Sequence, residues 1–287
     1  TSNILSGLVD LLLARLYWES NQLEEAQKKI DQSAGNLERL GMPGLQISGD
    51  LIRALILIAR EEYSDAVNLI NKNRRRTRSS EFIGFKQLFD LLRAEIHFKM
   101  GNLAGVKEWL EGTSIPASPL DDPAREQEFI LKARYLLEIG AVAESSQLLD
   151  ELGRYCDKVH HIRIYIAVLL IQADLEWKKG NLGSVKTLLE EALTLAAPQG
   201  YIQILLDTAG PVLGVLAQLP GAPAEIRARF RGTEPSDQSG LIEMLTAREM
   251  DVLRLLAENK TNTEIAHQLV LSGETVKFGA TVTLVDE

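Results

Sequence analysis

Arg15, Glu95, Arg134 and Asp174 each stand directly after an alanine, and those alanines recur about every 40 residues, with Leu55 taking the same place in the remaining case. A row of guanidinium and carboxylate groups along one inner surface offers charged hydrogen bonds to a sugar-like or peptide ligand. The competing reading is a solvated face. Other constellations offer less. Cys156 is the only cysteine, which excludes an intramolecular disulfide or a Cys-pair zinc site and fits a reducing, cytoplasmic compartment; it reads as a buried apolar residue. His160 and His161 are adjacent, and neighbours on a helix cannot both face one ion, so no metal site is expected. Arg74-Arg75-Arg76 could meet an anionic partner but reads as an exposed basic loop. No Ser/His/Asp ordering or carboxylate pair stands out from 40 acidic residues, and no enzymatic activity is expected.

Composition bounds the elements that must position these groups. With 287 residues, 45% hydrophobic and 25% charged, the chain is neither disordered nor fibrous. A net charge of −9 argues against a chain-wide polyanion-binding surface, so any nucleic-acid role must be local. The N-terminal stretch has no basic region, and the apolar runs Leu51–Ala59 and Ile162–Ile171 are too short to cross a bilayer, so no membrane association is expected.

The repeat dictates the fold. Ala14, Ala54, Ala94, Ala133 and Ala173 share one register, preceded at three residues by Leu11, Leu51, Leu91, Ile130 and Leu170. Four residues on come Trp18, Ile58, Phe98, Leu137 and Trp177, completing one helical face. Trp18, Phe98 and Trp177 could line an inducer groove, but their register assigns them to the core. After a polar or glycine break a second face begins, with Ala26, Ala66, Val106, Ser145 and Val185 as its small or compact members and Ile30, Ile70, Leu110, Leu149 and Leu189 behind them. Each unit is therefore an antiparallel helix pair. One pair cannot bury both its faces, so the pairs must stack into an all-α, right-handed solenoid with a concave surface. The first unit resembles the tetratricopeptide (TPR) repeat at Ala14, Tyr17 and Ala26, with a period near 40 rather than about 34. Met42–Gly49, Lys72–Arg78 and Pro116–Pro123 are expected to lie between pairs and account for the extra length.

The expected organisation is a TPR-like helical-repeat domain over 1–219, a Pro/Gly/Ser-rich linker over 220–240 holding at most a short helix around Ile226, an incomplete helix-turn-helix over 241–277, and an atypical tail over 278–287. In the third part Thr246 and Glu249 form a capping box, Thr261 or Asn262 caps the next helix, and Glu274-Thr275-Val276-Lys277 opens a further one. Leu245, Thr246, Arg248, Glu249, Val252, Leu253, Ala257, Asn262, Glu264, Ile265, Ala266, Leu269, Ser272, Thr275, Val276 and Lys277 closely resemble the LuxR-type DNA-binding pattern. Residues 191–219, including ALTLAAPQGY and DTAG, resemble the end of the helical-repeat region in MalT-like activators. The resemblance implies a signal-responsive transcription regulator in which the solenoid senses a small-molecule inducer or a protein partner. Thr261, Asn262, Ser272, Thr275, Val276 and Lys277 would then meet DNA. The alternative is an interaction scaffold that does not bind DNA. Homo-oligomerisation is compatible with either.

Three departures from that family shape the expectation. No G-x-x-x-x-G-K-[ST] run occurs, so no cofactor is expected here, and ATP only through a module upstream of Thr1, which itself falls inside a repeat helix. Phe278-Gly279-Ala280 stands where the recognition helix should continue, and the following TVTLVDE alternates like a strand. From Leu241 onward four basic residues face eight acidic ones, so DNA binding should be weak or lost in this form.

Overall fold

The computed structural model describes residues 2–39, 41–77, 82–116, 118, 125–231, 276–278 and 280–282, with the backbone alone at 2–4, 36–39, 231 and the two last segments. Ten helices form five antiparallel pairs: α1 (Ser2–Glu19) with α2 (Leu23–Arg39), α3 (Pro43–Ala59) with α4 (Tyr63–Arg76), α5 (Ile83–Lys99) with α6 (Leu103–Gly112), α7 (Glu126–Glu138) with α8 (Val142–Val159), and α9 (Ile162–Lys178) with α10 (Leu182–Ala196). The small positions are where the paired helices meet. Ala14, Ala54, Ala94, Ala133 and Ala173, with Ala26, Ala66, Val106, Ser145 and Val185, are each no more than 1% exposed, so the shared register is the seam of the repeat. Ser145 keeps its hydroxyl satisfied there by donating to the Ala133 carbonyl at 2.9 Å.

One turn design joins every pair. Asn21, Glu61, Gly101, Gly140 and Gly180 all have φ between 54° and 80°. In each case the next residue's N–H bonds back across the turn, as in Gln22 to the Tyr17 carbonyl and Asn181 to the Glu176 carbonyl, at 2.8 and 2.9 Å. This is the Schellman ending of a helix, which needs a left-handed residue and is easiest for glycine. Asn102 adds a side-chain cap, accepting from the Gly105 N–H at 3.0 Å. Gly105 itself lies so close to His97 that an added Cβ would be 2.7 Å from that ring.

Consecutive pairs stack through a second row of residues. In α3 it is Leu45, Gly49, Ile52 and Ile56, packed on Leu11, Trp18 and Ile30 of the first pair, with Gly49 giving the Leu11 methyl room. In α5 it is Phe85, Phe89, Leu92 and Ile96, packed on Ile58, Ala66 and Ile70 of the second pair. In α9 it is Ile164, Val168, Ile171 and Leu175, all at most 4% exposed.

In the first two units the extra length of the repeat lies in helix rather than loop. Met42–Gly49 was expected between pairs, yet Pro43 starts α3 at its first turn, where a missing N–H costs nothing. Lys72–Arg76 likewise belongs to α4, with Arg74, Arg75 and Arg76 in its last turn, where cations offset the helix dipole. Two of these arginines are inter-helix ties rather than a free basic loop: Arg74 pairs with Asp90, and Arg76 reaches Asp50 at 3.2 Å. Of Pro116–Pro123, only Pro116 and Ser118 are described.

Beyond α10 a 3-10 turn at Ala197–Gln199 leads into a seven-residue helix, α11 (Ile202–Thr208), which packs on α9 and reaches α1. The chain divides into compact units at Gly210. In the second unit α12 (Leu213–Gln218) packs on α13 (Ala224–Arg231), with Ile226 and Leu216 fully buried. Near the C-terminus β1 (Val276–Phe278) pairs antiparallel with β2 (Ala280–Val282), placing Lys277 opposite Thr281. Among the described residues no helix is long and apolar enough to cross a membrane.

Candidate functional site

The first helices of the pairs turn one face inward, and the row that follows the small residues leads into that space. Arg15, Leu55, Glu95 and Arg134 line a single cavity of about 170 Å³. Asp174, the fifth member of the row, does not line it. Helix α9 is enclosed by α7, α8, α10 and α11, so Asp174 sits 7% exposed within the packing rather than on the groove wall. Its Oδ1 has no hydrogen-bond partner, and the nearest cation, Lys178, is 3.7 Å from Oδ2. Burial raises the Asp174 carboxyl above its usual value, against the opposing pull of Lys178.

Two charged clusters flank an apolar middle formed by Leu55, Ile58, Leu91 and Ile130. At one end Glu19 accepts from both Arg15 at 3.0 Å and Arg163 at 2.9 Å. The Trp18 ring lies beneath both guanidinium groups, 4.4 Å from Arg15 and 5.8 Å from Arg163, and its Nε1 donates to the Leu55 carbonyl at 3.2 Å. Burial lowers the Arg15 pKa, with Glu19 pulling the other way and Arg163 adding to the lowering. At the other end Arg134 binds Glu95 at 3.0 Å, covers the Phe98 ring at 4.3 Å and donates to the Asp207 carbonyl at 3.2 Å. Lys99 holds the Asp207 carboxylate at 2.8 Å.

Sequence reasoning missed Arg163, Lys99 and Asp207, and it assigned Trp18 to the core alone. Trp18 does both jobs: it is 3% exposed and also borders the cavity. Lys99 was within reach of the periodicity, since the place five after each small residue holds Glu19, Lys99, Glu138 and Lys178, a charged row interrupted only by Ala59. Phe98 packs into the core under Arg134.

A second cluster joins α7 to the end of α8. Glu126, 7% exposed, lies 2.6 Å from His161 Nδ1 and raises the Tyr155 phenol from close by. Burial, reinforced by Glu126, pushes both the Tyr155 phenol and the Cys156 thiol up to about 12. Cys156 is buried as expected and is held in its unreactive thiol form. His160 ends α8 in a left-handed conformation, with φ 55°.

Of the residues expected to meet DNA, Thr261, Asn262, Ser272 and Thr275 lie outside the described residues. Val276 and Lys277 were expected to open a helix and instead lie in β1. The segment combines β-branched Val276, Thr281 and Val282, which favour extended backbone.

Comparison with known families assigns the two parts. Residues 3–221 match the MalT-like TPR region, and residues 243–281 match the bacterial regulatory proteins of the luxR family. Both families are regulatory rather than enzymatic. No curated protein matches the chain. Because the first match spans the five helix pairs, the groove between them and most of the polypeptide, the chain belongs to the MalT-like TPR family.

Proposed function

We propose that the chain is a signal-responsive transcription regulator acting in the cytoplasm, whose groove takes an inducer or partner and whose luxR-family segment reads DNA. What carries this reading is the pair of family matches in one polypeptide, a helical-repeat region followed by a regulatory segment. In the groove, Arg15, Glu95 and Arg134 supply charged hydrogen-bonding groups around an apolar floor, with Trp18 backing the Arg15 guanidinium, the mixture that recognises a polar ligand with some apolar surface. Asp174 joins the proposal as a charge behind Arg134, which is among the groups acting on it. On the DNA side, Thr261 and Asn262 would meet phosphate from a helix N-terminus. Ser272, Thr275, Val276 and Lys277 would enter the groove of the duplex once their segment is helical.

A second reading, a scaffold that binds a partner but no DNA, is favoured by one observation: the extended pairing of Val276–Phe278 with Ala280–Val282, where a reader needs helix. Selection of random-sequence duplexes on the whole chain, with affinity followed from low to physiological salt, separates the two. Enrichment of one sequence, with affinity falling steeply as salt rises and weakened by Lys277→Ala, is the result expected of a regulator. No retention of DNA even at low salt would overturn it in favour of the scaffold.

A further inference from the structure

One end of the groove holds more positive charge than its own carboxylates answer. Arg15 and Arg163 share Glu19, which accepts from the Nη2 of the first and the Nε of the second. No other hydrogen bond to either guanidinium is formed among the described residues, so each keeps N–H donors to spare. Both line the cavity, and the Arg15 side chain is 40% exposed, against 13% for Arg134 at the other end. That other end is balanced. Arg134 gives one Nη to Glu95 and the other to the Asp207 carbonyl, and Lys99 neutralises the Asp207 carboxylate. Two cations meet two anions there, whereas two cations meet one anion around Glu19. Between the ends the wall is aliphatic, and Leu88, which borders it, is 39% exposed although Leu91 on the same helix is 6% exposed.

We infer that the groove takes a small amphipathic monoanion, a carboxylate on an aliphatic body, whose oxygens accept from Arg15 and Arg163 while the body lies along Leu55, Leu88 and Leu91. This rests on the reading of the groove as a ligand site and names the class of ligand it takes. One positive charge in excess is matched by one negative charge. A phosphate dianion would bring two and leave the leucines facing water. A neutral polyol would answer the N–H groups but not the charge, and its hydroxyls would lose water against the aliphatic wall. The planar fork of arginine also fits the two oxygens of a carboxylate. The Trp18 ring beneath both guanidinium groups is 3% exposed, so the pair is held in place before the ligand arrives.

The test titrates the whole chain with octanoate by calorimetry, and beside it with octan-1-ol, octylammonium, inorganic phosphate and a neutral disaccharide. Octanoate should bind at one site and octan-1-ol at least about tenfold more weakly, the worth of a charged hydrogen bond. Octylammonium, phosphate and the disaccharide should not bind. Two variants then read the charge itself. Arg15→Gln should weaken octanoate about tenfold and leave octan-1-ol unchanged. Glu19→Gln should tighten octanoate roughly threefold or more, the effect of lifting one unit charge a few ångströms away even at the dielectric of water. A residue that only holds the fold together would give no such gain. The inference is overturned if octanoate does not bind, if octan-1-ol binds as well, or if Glu19→Gln leaves the octanoate affinity unchanged or lower. The head-group series needs no variant and decides by itself where Arg15→Gln fails to fold. Phosphate or the disaccharide binding in place of octanoate, and weakened by Arg15→Gln, overturns the ligand class and keeps the groove as a ligand site. Because octanoate binding is read without DNA, a chain that binds octanoate and selects no duplex loses the regulator reading and keeps this one.

Discussion

Glu19→Gln removes the one negative charge that holds two guanidinium groups together over Trp18. The Glu19 side chain is 9% exposed and accepts from Arg15 at 3.0 Å and Arg163 at 2.9 Å, while the arginine side chains are 40% and 15% exposed. Breaking a fully buried pair by removing one partner costs about 3–5 kcal/mol. Arg15 is wet enough to recover part of its hydration, and glutamine keeps one acceptor, so the expected loss is roughly 2 kcal/mol. For the compact unit Thr1–Gly210 that corresponds to a fall in Tm of roughly 4–8 °C. Urea unfolding followed by both circular dichroism and tryptophan fluorescence measures it, the second probe reporting in part from Trp18 itself. The partner substitution Arg163→Met removes the excess positive charge, so the double variant should be less destabilised than the sum of the two singles by about 1 kcal/mol. A loss below about 0.5 kcal/mol for Glu19→Gln, or strict additivity with Arg163→Met, would refute the claim that this triad is an energetic unit.

Other expectations follow from single groups. Asp174→Asn should raise stability by roughly 1 kcal/mol at pH 7, since a poorly paired buried carboxylate is replaced by a neutral amide. Because burial raises the folded-state pKa of Asp174, the gain should shrink as pH falls and the carboxyl is protonated in both states; urea midpoints at pH 7 and pH 4 check the sign. Cys156 should resist a thiol-disulfide reagent at pH 8 in the native chain and react at once in denaturant. The same linkage makes the fold sensitive to alkali. Tyr155 and Cys156 ionise near 10 and 9 when unfolded but near 12 when folded, so their contribution is intact below pH 9 and is lost as pH rises towards 12. Glu61→Gly should stabilise and Gly180→Ala destabilise, each by about 1 kcal/mol, because φ is +64° at the first and +80° at the second; equal signs in thermal melts would contradict the turn argument.

The repeat was legible because small residues at a fixed spacing have one physical meaning, the closest approach of two helices. Ala14, Ala54, Ala94, Ala133 and Ala173 mark that approach in all five units. Helix limits were less legible. Pro43 and the Arg74–Arg76 run read as breaks by residue type, yet a proline in the first turn and cations in the last are where a helix tolerates or favours them. Of the groove, the row through Arg15, Leu55, Glu95 and Arg134 could be read from periodicity, because a position next to a buried small residue lies at the edge of the packed face. Arg163, Asp207 and the burial of Asp174 could not be read so. They depend on how far the stack curls and on α11 returning to α1, neither of which is carried by local spacing.

The contact between Glu19 and Arg163 spans 144 residues and links the first pair to the fifth. In an open solenoid each unit touches only its neighbours, so stability adds up unit by unit and the ends fray independently. A clasp between the ends changes that statistics. Fraying α1 now also breaks a bond to α9, and loosening α9 removes a neighbour of α1, so the terminal units share their fluctuations. Hydrogen exchange in α1 and α9 should then report a common opening event, and the five pairs should melt as one cooperative body rather than peel apart in sequence.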